Sequence, residues 1–160
     1  MRSMRPEFLR SAIQIFVAEE DEALRGNVAS ALRGEGYEVL ECADGATLFR
    51  QLERRLACPG AHRSVVIAQG RLPGFGALQV LHSLRGLDVS IPLILMTRLR
   101  DPAIAEVAAK AGASAVLVKP IQVRDLCGVV TELVNRMDAQ PRSESARTNL
   151  RGWRVPLTAL

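Results

Sequence analysis

Four short apolar runs punctuate the chain: Ile13 to Ala18 (interrupted by Gln14), Val65 to Ala68, Pro92 to Met96 and Ala115 to Val118. Each is rich in Val, Ile or Leu and too short for an ordinary globular helix. Apolarity without alternation predicts strands covered on both faces, as in a parallel sheet between layers of helices. A fifth segment, Tyr37 to Cys42, alternates with Glu38 and Glu41 and predicts an edge strand.

Between these runs the period lengthens to that of amphipathic helices. Leu24, Val28, Ala31 and Leu32 make one stripe, with Asp21 placed to cap it; Leu48, Leu52 and Leu56 make a second after Asp44-Gly45. Leu78, Leu81 and Leu84 follow Gly74 and Gly76. Ile104, Val107, Ala108 and Ala111 follow Asp101-Pro102, a cap residue with proline at the first helical position. Leu126, Val130, Leu133 and Met137 line the last helix, and Gly34, Gly36 and Gly112 stand where helices should stop.

The resulting order is β-α repeated five times, with strands beginning near residues 13, 38, 65, 92 and 115. Right-handed crossovers turn such a chain into an open, doubly wound α/β sheet. Five strands of this kind take the flavodoxin-like order 2-1-3-4-5, and ligand chemistry sits outside their carboxyl ends. That rule directs attention to Ala18–Asp21, Gln69–Pro73, Thr97-Arg98 and Lys119-Pro120.

The 160 residues, 48% hydrophobic and 24% charged, suit one domain with a real core. No apolar run approaches the roughly 18 residues of a membrane span. Met1 to Ser11 is Arg-punctuated and is not read as a secretory signal. Cys42, Cys58 and Cys127 are too scattered for a disulfide scaffold or a zinc site, which predicts a soluble, cytoplasmic, reduced protein. Residues 1–10 and 138–160 each carry a net +2, the whole of the formal +4, while positions 11–137 hold fourteen basic and fourteen acidic residues. A folded nucleic-acid-binding face normally carries the positive field itself, so nucleic acid is not the expected partner of the folded part.

The strand ends match, in order and spacing, the receiver domain of bacterial two-component response regulators. IFVA runs into Glu19-Glu20-Asp21-Glu22, LILM ends at Thr97, AVLV ends at Lys119-Pro120, and Leu72-Pro73-Gly74 resembles the turn after the third strand. GYEVLECADG and the AGAS of Ala111–Ser114 resemble the connecting segments. Of two lysines among nineteen arginines, one stands at the family's lysine position. The resemblance covers residues 12–137, leaving 1–11 as an N-terminal extension and 138–160 as a linker and tail. It implies that Glu19 and Glu20 stand for a metal-holding acidic pair. It further implies that Thr97 and Lys119 stand for phosphoryl contacts, and that Pro120 follows a cis bond.

The position that should carry the chemistry departs from the family. Its phosphoacceptor Asp lies four residues before the turn proline; here that is Gln69, and residues 54–87 contain no Asp or Glu. An acyl phosphate needs a carboxylate nucleophile. Two Glu in place of Asp and the missing third carboxylate predict weak or absent Mg2+ binding, with no cofactor expected. Val116 stands where the family has a Tyr or Phe switch residue, Arg98 replaces a small residue, and Ala77 replaces a Gly. Glu19, Glu20 and Lys119 are expected to cluster, with Gln69 satisfying the site internally, either as a structural remnant or as a ligand-sensing pocket.

His82 and His62 read as surface histidines and Cys127 as a small core residue. The tail, with arginines at 147, 151 and 154 and Trp153 near its end, reads as solvated. The function expected from this pattern is non-enzymatic: an atypical, unphosphorylated receiver that acts by protein contact or homodimerisation. The surface implied by the resemblance is the face made by the fourth helix, fifth strand and last helix. Three alternatives stand beside it. They are phosphorylation at an unconventional residue, nucleic-acid binding through the Arg-rich ends, and small-ligand sensing at the degenerate pocket.

Overall fold

The computed structural model describes residues 13–58, 63–87, 90–98 and 102–139. The strands are β1 Gln14–Ala18, β2 Glu38–Cys42, β3 Ser64–Gln69, β4 Leu93–Thr97 and β5 Ala115–Val118. They alternate with the helices α1 Glu22–Gly34, α2 Gly45–Leu56, α3 Ala77–Gly86, α4 Pro102–Lys110 and α5 Val123–Ala139. The sheet is parallel throughout, in the order β2-β1-β3-β4-β5. This is the flavodoxin-like doubly wound fold expected from the sequence.

Strand alternation sorts the core into two layers. Ile15 and Val17 of β1, Val65 and Ile67 of β3, and Ile94 and Met96 of β4 meet Val28, Ala29 and Leu32 of α1 and Leu126, Val130 and Leu133 of α5. The intervening Phe16, Ala18, Val66, Ala68 and Leu95 meet Leu48, Phe49, Leu52 and Leu56 of α2 and Val80, Leu81 and Leu84 of α3. Burial on both faces explains why these strands read as unbroken apolar runs. Phe49 and Phe75 close the second layer edge to face, with centroids 4.7 Å apart.

Asp21 caps α1 by accepting from the Leu24 N–H at 3.0 Å, and Asp44 caps α2 by accepting from the Thr47 N–H at 2.7 Å. That amide bond is also the first reason the Asp44 carboxyl sits below its ordinary pKa. A depressed folded-state value contributes stability above the unfolded pKa and loses it as pH falls through the folded one. Asp44→Ala is therefore expected to cost about 1 kcal/mol at neutral pH. The gap to the unsubstituted chain should close as pH is lowered below about 4, read by urea unfolding at several pH values.

The structure departs from the periodicity in particular places. The buried stripe of α3 is Ala77, Val80, Leu81 and Leu84, so it includes Val80, while Leu78 stands half-buried at the margin. Val107, expected on the apolar stripe of α4, is 53% exposed. This helix packs beside a four-residue edge strand that offers little sheet to cover it, and Val118 of β5 is itself 39% exposed. The last helix, α5, ends at Ala139, and Asp138 pairs with Arg63 at 3.1 Å. His62, the Asp101 cap, the N-terminal extension and the tail beyond Ala139 lie outside the described residues.

Candidate functional site

Four strand ends converge on one buried ion pair. Glu19 leaves β1 with its N–H donating to the Cys42 carbonyl at 3.0 Å, which prolongs the β1–β2 ladder by one bond. Lys119 leaves β5 with its N–H donating to the Thr97 carbonyl at 2.7 Å, and the Lys119-Pro120 bond that follows is cis. The backbone thus sets both side chains at the carboxyl edge of the sheet. Lys119 Nζ donates to Glu19 Oε2 at 2.6 Å and to Gln69 Oε1, at the end of β3, at 3.2 Å.

Glu19 is fully buried and Gln69 is 4% exposed. The second carboxylate oxygen, Glu19 Oε1, accepts from the Asp21 N–H at 3.0 Å, and Arg25 Nη1 donates to the Glu19 carbonyl at 2.9 Å. A buried carboxylate is tolerated only when paired and hydrogen-bonded in this way. Asp21 also accepts from the start of α1, which lowers its pKa, with Lys119 and Arg98 assisting weakly.

Glu20 is not part of this cluster, contrary to the sequence expectation. Successive side chains at a strand end point to opposite sides. Glu19 therefore takes the lysine, and Glu20 turns to the rim, 3.7 Å from Arg98 Nη2. Thr97 is buried at the end of β4, and Val116, paired in register with Leu95, is half-buried on β5. Burial, with Asp44 adding to it, pushes the nearby Cys42 thiol up to about 12, which removes it as a nucleophile. His82 is exposed on α3.

Beside the ion pair opens a cavity of about 460 Å3, lined by Glu20, Gln69, Gly70, Arg71, Leu78, Leu95, Thr97 and Arg98. Arg71 falls in the Gln69–Pro73 stretch marked by the sequence but was given no role there, and Leu78 and Leu95 were read only as core positions. Their one legible signal was position, since Arg71 and Leu78 flank the turn that follows β3. Arg85 was also missed: it donates to the carbonyls of Ile91 (3.3 Å) and Gly112 (2.9 Å), tying α3 to the entry of β4 and the loop before β5.

The fold and the convergence of strand ends define a doubly wound α/β protein with its site at the carboxyl edge of the sheet. The family model described as response regulator receiver domain matches residues 15–131, and the chain belongs to that family. Among curated proteins, the transcriptional regulatory protein FixJ of Bradyrhizobium diazoefficiens is 26% identical over 137 residues, covering 85% of this chain and 63% of its own. The response regulator protein TodT of Pseudomonas putida is 29% identical over 135 residues, covering 84% and 56%. The chain thus spans less than two thirds of the length of these relatives.

Solved structures share the fold. A CheY-like response regulator receiver domain protein from Methanospirillum hungatei superposes with a TM-score of 0.69 at 20% identity, covering 81% of this chain and 98% of that one. A DNA-binding response regulator of the LuxR family from Staphylococcus aureus gives 0.67 at 22% identity, covering 77% and 99%. No helix among the described residues is long and apolar enough to cross a membrane.

Proposed function

We propose that this receiver domain takes no phosphoryl group and regulates through protein contact. The observation that carries this reading is the occupant of the β3 end. Gln69 is a neutral amide whose oxygen accepts from Lys119, so it supplies neither a nucleophile nor a charge. No Asp or Glu lies between residues 54 and 87 to substitute for it.

The donor set also fits a divalent cation poorly. Magnesium takes six oxygen ligands in near-octahedral order. Both Glu19 oxygens already accept, one from an amide and one from an ammonium, and Glu20 faces Arg98. Among the described residues no group of three or more His, Cys, Asp or Glu is placed to hold a metal.

The face proposed for contact is α4–β5–α5. Its support is apolar exposure at Val107 and Val118, the large hydrophobic side chains left open among the described residues. A phosphoryl group that cannot attach gives no differential binding to two states of this face, so the face holds its conformation rather than switching by phosphorylation. The nature of the partner and the oligomeric state follow from pull-down and light scattering on the full chain.

The test is intact-protein mass spectrometry after incubation with Mg2+ and a small-molecule phosphodonor. The unsubstituted chain is expected to gain no phosphoryl mass. Gln69→Asp, run beside it, is expected to gain one only where Lys119 and the acidic side chains still support the chemistry. A phosphoryl adduct on the unsubstituted chain overturns the proposal.

A further inference from the structure

The cavity beside the ion pair has a polarity unlike that of a site for a cation. Lysine is a donor only, so Gln69 must present its amide oxygen to Lys119, and its Nε2 donors then face the other way. Gln69 is one of the residues that line the cavity, and its Nε2 makes no hydrogen bond to a described residue. Arg71, exposed at the mouth, also makes no ion pair or hydrogen bond to a described residue.

Arg98, the second guanidinium at the rim, is held by Glu20 across 3.7 Å, with both side chains largely in water. Exposed pairs of this kind contribute little, so Arg98 can turn to another anion at small cost. The opposite wall is hydrocarbon: Leu95 from β4 and Leu78 from α3. A volume of about 460 Å3 lies within the range of sites that enclose small organic molecules.

We propose that this cavity binds a small organic carboxylate with an apolar body. The carboxylate would accept from Gln69 Nε2 and from the guanidinium of Arg71, a planar fork matched to two carboxylate oxygens. The apolar body lies against Leu78 and Leu95. Arg98 closes over the anion by exchanging Glu20 for it. An inorganic anion leaves the leucine wall without a partner, and a neutral apolar molecule leaves both donors unpaired. The inference stands apart from the phosphorylation reading, because it uses no nucleophile, and a phosphoryl adduct on the chain would not decide it.

The experiment is a titration of the full chain followed by NMR of the Gln69 side-chain amide and the Leu78 and Leu95 methyl groups. The probes are 2-naphthoate, the neutral 2-naphthamide, acetate and inorganic phosphate. Saturable shifts at all three residues are expected with 2-naphthoate, with 2-naphthamide at least about tenfold weaker, a ratio set by loss of a charged hydrogen bond. Acetate and phosphate are expected to give no saturation. Arg71→Gln, at an exposed position, should weaken 2-naphthoate by about tenfold while leaving the methyl spectrum of the free chain intact. Leu78→Trp, which fills the cavity, should abolish binding. Equal affinity for 2-naphthamide, saturation by phosphate alone, an unaltered affinity in Arg71→Gln, or no saturable shift at these residues each overturns the proposal.

Discussion

Replacing Lys119 by methionine is expected to cost about 3–5 kcal/mol of stability, the loss typical when one partner of a buried ion pair is removed. In a chain of this size that corresponds to a fall in Tm of roughly 10 °C. The lysine ammonium lies 2.6 Å from a carboxylate that is fully buried, and methionine keeps the volume while deleting the charge. The Asp21 N–H would remain as the sole described partner of the Glu19 carboxylate. A single neutral donor does not offset the desolvation of an anion. Adding Glu19→Gln removes that anion, so the double variant is expected to recover to within about 1–2 kcal/mol of the unsubstituted chain. Urea unfolding of the three proteins makes the comparison. A single-variant loss below about 1 kcal/mol would show that water reaches Glu19 and that the pair is not a closed fixture.

The same pair shows where the sequence was sufficient and where it was not. β1, β3 and β4 are covered on both faces, so their apolar runs stood out from the helical stripes around them. β2, at one edge, showed its exposure through Glu38 and Glu41. The other edge strand, β5, is equally apolar in sequence but only half covered, because coverage depends on how far α4 reaches and not on β5 itself. Val107 belongs to the same difficulty: its spacing is that of a core residue, but the edge of the sheet leaves it nothing to pack on. At the site, Gln69 was legible by counting back from Pro73, since both lie on one short stretch of chain. The separation of Glu19 from Glu20 was not, because it turns on which of two adjacent side chains faces β5. Nor were the cavity walls, whose members come from β3, β4, α3 and the loops that follow β1, β3 and β4, brought together only by the crossovers.

Gly76→Ala is expected to destabilise the domain by more than about 3 kcal/mol, beyond the usual range for a single added methyl. The reason is not backbone freedom, since Gly76 has φ −102° and ψ −179°, an extended conformation open to alanine. A Cβ there would fall on the Gly70 carbonyl oxygen and stand 2.8 Å from its carbon. Neither neighbour can turn away, because the Gly70 N–H donates to the Met96 carbonyl at 2.8 Å. On the other side, the Gly76 N–H donates to Gln79 Oε1 at 2.8 Å, holding the start of α3. Relief must displace either that helix or the end of β3, and Gly70 follows Gln69 directly, so the partner of Lys119 moves with it. Gly26→Ala supplies the contrast within one fold. Apart from its own helix backbone and chain neighbours, nothing lies within 4 Å of the added Cβ within α1, and the substitution is expected to stabilise by about 0.5–1 kcal/mol. Urea unfolding of both variants reads the opposed signs. A Gly76→Ala protein within about 1 kcal/mol of the unsubstituted chain would mean that the turn after β3 yields freely. The Gln69 amide would then have no rigid support from which to hold the lysine.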